Sequence, residues 1–173
     1  MNIADVIRNI PDFPKPGVQF KDITTLLLHP EAYKYVIDAL AERYGKDRPD
    51  VIVGVESRGF IFGSTLAYVL GVPFVLARKS GKLPGETIKE SFVLEYGTDT
   101  IEIHVDAIEP GAKVLIVDDL LATGGTVAAV ARLVERMKAT VTEAAFVVEL
   151  PPLKGREKVA PLSVFSMVSF MVE

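Results

Sequence analysis

Hydrophobic positions along this chain follow two spacings, one typical of helices and one typical of buried strands. Short, continuous apolar runs predict strands that are buried on both faces, and they lie at 51–55, 74–77, 114–117, 144–150 and 162–168. An alternating run over 101–105 predicts a strand with one exposed face, which carries Glu102 and His104. Apolar residues at helical spacing predict helices between these runs, at 33–44, 60–70 and 127–138.

This alternation of helices and strands predicts an α/β fold in which a mostly parallel, twisted sheet has helices on both faces. A chain of 173 residues is expected to form one domain, so 1–173 is treated as a single unit. Sheets of this kind bind ligands beyond the carboxyl ends of their strands. The residues with unusual chemistry all follow such ends, and the site is therefore predicted there.

The most informative string runs from Val114 to Thr126 and reads Val-Leu-Ile-Val-Asp-Asp-Leu-Leu-Ala-Thr-Gly-Gly-Thr. A buried strand, a small glycine turn and a helix start form an anion cradle, because backbone N–H groups converge there and the helix dipole favours negative charge. Small residues let the backbone approach a phosphate closely, and threonine hydroxyls can donate to its oxygens. The predicted phosphate-binding residues are Ala122, Thr123, Gly124, Gly125 and Thr126.

Two carboxylates, Asp118 and Asp119, precede this turn and would repel a phosphate. They suit the two hydroxyls of a ribose, so the string as a whole fits a ribose 5-phosphate group. The plainer alternative is an aspartate that caps a turn beside a Gly-Gly chain reversal, but the complete string favours binding. It lacks the lysine of a nucleotide-triphosphate P-loop, and 54–59, which has P-loop glycine spacing, is followed by Phe60.

Basic residues follow two other predicted strands. Arg58 stands at a helix start, where the dipole disfavours a cation, so we expect it to hold an anion; pairing with Glu56 is the alternative. The segment 78–91 is basic and broken by glycines and a proline, which is typical of a solvated surface loop or a flexible lid. Its place in a phosphate-handling sheet favours a lid, and it leads into a strand that ends at Glu95.

The segment 12–24 is stiffened by two prolines and a glycine, yet its apolar residues fit neither helical nor strand spacing. Such a segment can offer Phe20 as a stacking surface and main-chain groups that read the edge of a base. We predict a small N-terminal hood over the site, and a strap over the core is the alternative.

Composition narrows the classes of function. The net charge of −4 and the pI near 5.3 argue against a nucleic-acid-binding surface. The absence of cysteine excludes disulfides, thiolate metal sites and cysteine nucleophiles. No apolar stretch approaches the ~20 residues of a membrane span, and the first residues lack a signal pattern, so we expect no membrane partner and a cytoplasmic location.

Six motifs occur in an order that resembles the adenine branch of the type I phosphoribosyltransferase family, over nearly the whole chain. They are Pro-Gly-Val-x-Phe-x-Asp-Ile, Glu-Ser-Arg-Gly-Phe, Arg-Lys-x-Gly-Lys-Leu-Pro, Leu-Glu-Tyr-Gly, Val-Asp-Asp-Leu-Leu-Ala-Thr-Gly-Gly-Thr and Leu-Lys-Gly-Arg-Glu-Lys. The fifth marks the superfamily, whereas the first and the fourth mark the adenine branch. The departures are 138–140, which lacks a glycine often seen there, and the Ser- and Met-rich segment after Phe165; neither touches the predicted site.

The resemblance implies transfer of the 5-phosphoribosyl group from 5-phosphoribosyl 1-diphosphate to adenine, giving AMP and diphosphate in purine salvage. It assigns catalysis to Glu95, Asp118 and Asp119. It assigns diphosphate binding to Ser57, Arg58, Arg78, Lys79 and Lys82, and base binding to Gln19, Phe20, Lys21 and Leu120. Magnesium would be held mainly through substrate and water, with no direct protein ligand, and a homodimer is the habit of the family.

Two alternatives stay open. Some proteins of the superfamily bind the same phosphoribosyl ligand as transcriptional regulators, but those carry an additional DNA-binding domain, and here the enzyme-like segment begins at Asp12. The second alternative is an enzyme that uses hypoxanthine or xanthine. Product formation with each purine separates these possibilities.

Overall fold

The computed structural model describes residues 1–94 and 96–171, which are built around a central sheet. The strands are β1 (Arg8–Pro11), β2 (Gln19–Asp22), β3 (Val51–Val55), β4 (Phe74–Lys79), β5 (Thr87–Leu94), β6 (Gly97–His104), β7 (Lys113–Leu121), β8 (Thr140–Glu149) and β9 (Val164–Ser169). The α-helices are α1 (Thr24–Leu27), α2 (Pro30–Gly45), α3 (Arg58–Leu70), α4 (Gly125–Arg136) and α5 (Gly155–Val159). Short 3-10 helices lie at Ile3–Val6 and Pro151–Leu153.

The sheet has seven strands in the order β5-β6-β4-β3-β7-β8-β9. The strands from β4 to β9 in this order run parallel, whereas β6 pairs antiparallel with both β4 and β5. The predicted α/β fold with a mostly parallel sheet is confirmed. The carboxyl ends of β3 and β7 are neighbours, which brings the residues that follow them to one edge of the sheet.

Two apolar layers cover the two faces of the sheet. Val51, Val53 and Val55 of β3 pack in the same cluster as the buried face of α4. Ile52 faces the opposite way and packs with the apolar residues of α2 and α3. Because alternate side chains of each inner strand enter different cores, both faces are buried, and the strand sequence is continuously apolar.

The predicted lid over 78–91 is wrong in its bounds. Arg78 and Lys79 belong to β4, and β5 begins at Thr87, so the loop itself covers only 80–86. The strand β5 lies at the edge of the sheet, where charged side chains are tolerated on an exposed face, and its sequence therefore resembles a loop. The exposed position predicted for Glu102 is also wrong, because this side chain is buried and accepts a hydrogen bond from Ser80.

The hood predicted over 12–24 is built differently from a stiff loop. Strands β1 and β2 pair antiparallel as a hairpin, with the turn over 12–18, and the chain then enters α1. The hairpin strands have four residues each, too few for a spacing that sequence can reveal. Ile23 and Leu26 are buried against α2 and anchor the segment to the core. In the part of the chain that the structure describes, no helix is both long and apolar enough to cross a membrane.

Candidate active site

The glycine turn lies between the end of β7 and the start of α4, as the sequence predicts. The strand continues to Leu121, four residues beyond its predicted apolar run, and Gly124 precedes the helix with a left-handed φ of +86°. A cavity of about 100 Å³ opens at this turn. It is lined by Asp118, Leu120, Leu121, the turn residues Ala122 to Thr126, Val127 and Phe146.

A second cavity, of about 280 Å³, adjoins the first and shares Asp118, Leu120, Ala122 and Thr126 with it. Three elements form its other walls: the β3–α3 junction, the end of β4, and the β5–β6 hairpin. Their lining residues are Val55, Glu56, Ser57, Arg58, Lys79, Phe92, Leu94, Asp99, Thr100 and Ile101, and Asp119 of β7 completes the lining. The two cavities form a continuous groove that leads from the glycine turn to a basic wall.

Arg58 crosses this groove to pair with Asp119. Its Nε donates to Asp119 Oδ2 at 2.5 Å, and the aspartate is only 3% exposed. The alternative pairing of Arg58 with Glu56 is wrong, because Glu56 pairs with Arg78 and accepts the main-chain N–H of Lys79. An arginine predicted to bind an anion and an aspartate predicted to bind a sugar are thus bound to each other.

Asp118 lies against the first turn of α3. A side chain on Gly59 would place its Cβ 2.9 Å from Asp118 Oδ1 and 2.8 Å from the Val117 carbonyl oxygen, so only glycine permits this approach. Burial, together with the neighbouring Asp119 carboxylate, raises the pKa of Asp118 well above its usual range. The charge of this carboxyl therefore depends strongly on the groups that lie beside it.

The residues predicted to bind diphosphate are placed unequally. Ser57, Arg58 and Lys79 line the larger cavity, and Lys79 Nζ lies 3.8 Å from Asp99 Oδ2. Arg78 stands behind this wall, in the ion pair with Glu56. Lys82 is exposed in the loop 80–86, and the described residues that line the two cavities do not include it.

Of the residues predicted to bind a base, Phe20 lies beside the Arg58 guanidinium and Leu120 lies in the groove. The Phe20 ring packs edge-on against Phe13 at 5.1 Å, and the Arg58 guanidinium lies 5.6 Å from its centre. Leu120 lines both cavities. The side chains of Gln19 and Lys21 are both hydrogen-bonded to Asn9 on β1, which leaves the main chain of β2 as their route to a ligand. Glu95 lies outside the described residues.

Sequence reasoning missed the part of the wall that comes from the β5–β6 hairpin, chiefly Phe92 and Asp99. It also missed Glu56 as the residue that holds Arg78 in place. The signal for the hairpin was present in Thr87–Leu94, which contains several β-branched and aromatic residues among its charged ones.

Comparisons with known proteins agree with this geometry. The phosphoribosyl transferase domain family matches residues 22–172. The adenine phosphoribosyltransferase of Roseiflexus castenholzii is 56% identical over 170 residues, which cover 98% of this chain and 99% of that protein. The crystal structure of adenine phosphoribosyltransferase from Thermoanaerobacter pseudethanolicus has a TM-score of 0.94 and 50% identity, and covers 97% of this chain and 98% of that chain.

A ligand complex is also among the similar structures. Adenine phosphoribosyltransferase from Saccharomyces cerevisiae, complexed with D-2,5-dideoxy-2,5-imino-altritol 1,6-bisphosphate and adenine, has a TM-score of 0.91 and 45% identity. The match covers 96% of each chain.

Proposed function

The chain belongs to the phosphoribosyltransferase family, among relatives that are adenine phosphoribosyltransferases, and we propose that it makes AMP and diphosphate from adenine and 5-phosphoribosyl 1-diphosphate. One observation carries the proposal. A glycine turn at a helix start, an acidic pair and a basic wall follow one another along a single groove. These three parts match a 5-phosphate, a ribose diol and a diphosphate in the order in which the sugar carries them.

The acidic pair and the basic wall act on opposite charges of the reaction. As the bond from C1 to diphosphate breaks, positive charge develops on the ribose ring and negative charge on the leaving group. Asp118 and Asp119 hold the ribose hydroxyls and stabilise the cationic ring, while Ser57, Arg58 and Lys79 stabilise the diphosphate. Ala122 to Thr126 fix the 5-phosphate, which keeps C1 between the two charged groups. Arg78 steadies the wall through Glu56, and Lys82 reaches the diphosphate only if the loop 80–86 moves as a lid.

The pair between Arg58 and Asp119 links these two events. A bound diphosphate competes for the same guanidinium, because phosphate oxygens are strong acceptors of charge-assisted hydrogen bonds. When Arg58 turns to the diphosphate, Asp119 loses its neutralising partner, and its full charge becomes available to the ribose. Binding of the leaving group therefore prepares the carboxylate that stabilises the ring.

The base lies between Phe20 and Leu120, with the edge of adenine read by main-chain groups of β2 near Gln19 and Lys21. The position of the Arg58 guanidinium supports this arrangement, since it touches both the groove and the Phe20 ring. Attack by an imidazole nitrogen of the purine requires movement of a ring proton. We assign that proton to Glu95, the residue that follows β5 in the sequence.

Magnesium fits this site as a partner of the diphosphate. The oxygen donors of Asp118 and Asp119 are of the type that magnesium prefers, and they line the same cavity as Arg58 and Lys79 of the basic wall. We propose that the ion is held mainly by substrate oxygens and water, so no direct protein ligand is assigned. When bound, it adds to the neutralisation of the leaving group that Arg58 and Lys79 provide.

Two further points concern the setting of the reaction. We propose a homodimer, because large apolar side chains are exposed on α3 and on β4: Tyr68 is 88% exposed, Val69 52% and Leu76 40%. Sedimentation of the Tyr68→Asp variant as a monomer, against a dimeric wild type, would support it.

We also propose a cytoplasmic location for the single domain, since the phosphorylated substrate is multiply charged and does not cross membranes unaided.

The proposed activity is tested by product formation. The purified chain is given 5-phosphoribosyl 1-diphosphate, magnesium and one purine at a time from adenine, guanine, hypoxanthine and xanthine, and nucleotides are separated by chromatography. We expect AMP as the main product. Preferential turnover of hypoxanthine or xanthine would show that one of these purines, and not adenine, is the substrate. Binding of the sugar diphosphate without any product would favour a regulator.

A further inference from the structure

The short helix α5 packs directly on the glycine turn of the groove. A side chain on Gly155 would place its Cβ 2.5 Å from the Ala122 carbonyl oxygen, and one on Gly124 would place it 2.8 Å from the Gly155 carbonyl oxygen. Neither approach tolerates a Cβ atom, so two glycines in distant parts of the chain meet backbone to backbone. The position of α5 therefore sets the position of the turn.

The helix α5 cannot hold itself in place. It has five residues and no side-chain cap at its N-terminus, and a helix this short is unstable unless tertiary contacts fix it. Val159 buries one apolar side chain in the core, and the polar contact of α5 with the sheet comes from Arg156. The guanidinium donates to both carboxylate oxygens of Glu149, at 2.7 and 2.9 Å, and to the Val164 carbonyl oxygen at 2.9 Å.

Glu149 is the anchor of this contact. It ends β8, stands in register with Leu121 at the end of β7, and is only 5% exposed. Ser166 on β9 donates a further hydrogen bond to it at 2.6 Å. The hydrogen bonds from Arg156 and Ser166 keep the pKa of Glu149 below its usual range despite its burial, so the carboxylate is charged when it holds the arginine.

We propose that Arg156 and Glu149 are positioning residues of the 5-phosphate site. They hold α5 against the turn of Ala122 to Gly125, so that the N–H groups of this turn converge on the phosphate. This inference rests on the proposed function. Neither side chain lines the two cavities of the groove among the residues that the structure describes, so the pair acts through the backbone of α5. Loss of the ion pair between Arg156 and Glu149 would shift the N–H groups that bind the phosphate without removing any of them.

The chain offers a matched control on the same strand. Glu143, near the start of β8, accepts hydrogen bonds from Arg43 at 2.9 Å, from Tyr44 at 2.7 Å and from Ser163 at 3.0 Å. This cluster also joins an arginine, a serine and a partly buried glutamate, but at the opposite end of the parallel sheet. Its removal disturbs the sheet to a similar extent without touching α5.

The test compares Arg156→Ala and Arg156→Lys with Arg43→Ala. Calorimetry measures the Kd values of ribose 5-phosphate and inorganic diphosphate, and thermal unfolding measures Tm. We expect Arg156→Ala to weaken ribose 5-phosphate binding about tenfold or more, as loss of charge-assisted hydrogen bonds would, while diphosphate affinity stays near that of the wild type. Arg156→Lys should recover part of the loss, and Arg43→Ala should lower Tm but change neither Kd.

Several results would overturn the inference. A lower Tm with unchanged ribose 5-phosphate affinity in Arg156→Ala would make the pair structural only, and equal weakening in Arg43→Ala would indicate general loosening. If Arg156→Ala does not fold, Glu149→Gln, which keeps the shape and loses the charge, gives the same comparison. Because binding is measured without turnover, a wild type that binds ribose 5-phosphate but makes no AMP contradicts the proposed function and leaves this inference standing. Absence of ribose 5-phosphate binding in the wild type overturns the inference.

Discussion

The side of the groove proposed to bind the 5-phosphate (the phosphate side) and the side proposed to bind the diphosphate (the diphosphate side) are built differently. The phosphate side consists of backbone from β7 and α4, seated on buried residues and fixed by glycine contacts with α5. The diphosphate side consists of long side chains from α3, β4 and the β5–β6 hairpin, several of which are already engaged with acidic partners. The first side offers a preformed cradle, whereas the second must exchange internal ion pairs for bonds to the ligand.

The largest effect is expected from a side chain in the phosphate turn. Gly124→Val adds a β-branched residue at φ +86° and drives its Cβ into the Gly155 carbonyl oxygen. Turnover should fall by about 10²-fold or more, because small misplacements of a bound substrate are costly. Steady-state kinetics checks this against Gly111→Val, in the connection between β6 and β7, where φ is +83° but an added Cβ meets nothing within 4 Å. Equal losses in both variants would mean that backbone strain alone, rather than the cradle, is responsible.

The next effect concerns the exchange between the two sides. Asp119→Asn should lower kcat by about 10²-fold, since the carboxylate charge matters most when the ribose ring is cationic. AMP binding should weaken far less, and the KM of the sugar diphosphate should not rise, because Arg58 is then released from its partner. Kinetics and AMP calorimetry separate the two quantities. Losses of equal size in binding and turnover would reduce Asp119 to a residue that positions the sugar.

A smaller effect is expected on the side-chain wall. Lys79→Ala removes one exposed cation from the groove, so diphosphate affinity should fall about 3- to 10-fold. Lys89 provides the control, because it is equally exposed and lies 3.6 Å from Glu102 but does not line the groove among the described residues. Inhibition by diphosphate measures both variants. An effect of Lys89→Ala as large as that of Lys79→Ala would indicate attraction by overall charge.

The smallest effect is a gain in stability. The pKa of Asp118 is higher in the folded state than in the unfolded chain. With respect to this group, the folded protein is therefore most stable below the pKa that Asp118 has in the unfolded chain, and it loses stability as pH rises from there through the folded-state pKa. Asp118→Asn removes this loss and should raise Tm near neutral pH by about 2–4 °C, the shift that 1 kcal/mol gives in a chain of this size. The gain should shrink towards pH ~4. A Tm that is lower than wild type at neutral pH would contradict it.

The phosphate side could be predicted from sequence because its parts are consecutive. The residues from Val114 to Thr126 form strand, turn and helix start without help from other segments, and their chemistry is set by local geometry. The same holds for the parallel strands, whose continuous apolar runs reflect burial on both faces.

The diphosphate side could not be predicted in the same way, because it depends on partners that are distant in the chain. Arg58 selects Asp119 rather than the nearby Glu56, since α3 approaches the end of β7 through Gly59. The edge strand β5 is rich in charged residues, as a loop would be, so its composition does not predict a strand. It is a strand because it pairs with β6. The contact between Gly124 and Gly155 cannot be predicted from the sequence around either glycine.

The β5–β6 hairpin joins the parallel sheet through the register of Arg78 with Glu102 and of Lys79 with Ile101. An antiparallel hairpin needs no crossover helix, so its length can change without rethreading the chain through the core. An engineer can change the length of this hairpin, which faces the proposed leaving group, provided that the ion pairs of Glu90 with Arg132 and Arg136 on α4 are kept. The fold thus divides the groove into a portion open to diversification and a portion held constant by its neighbours.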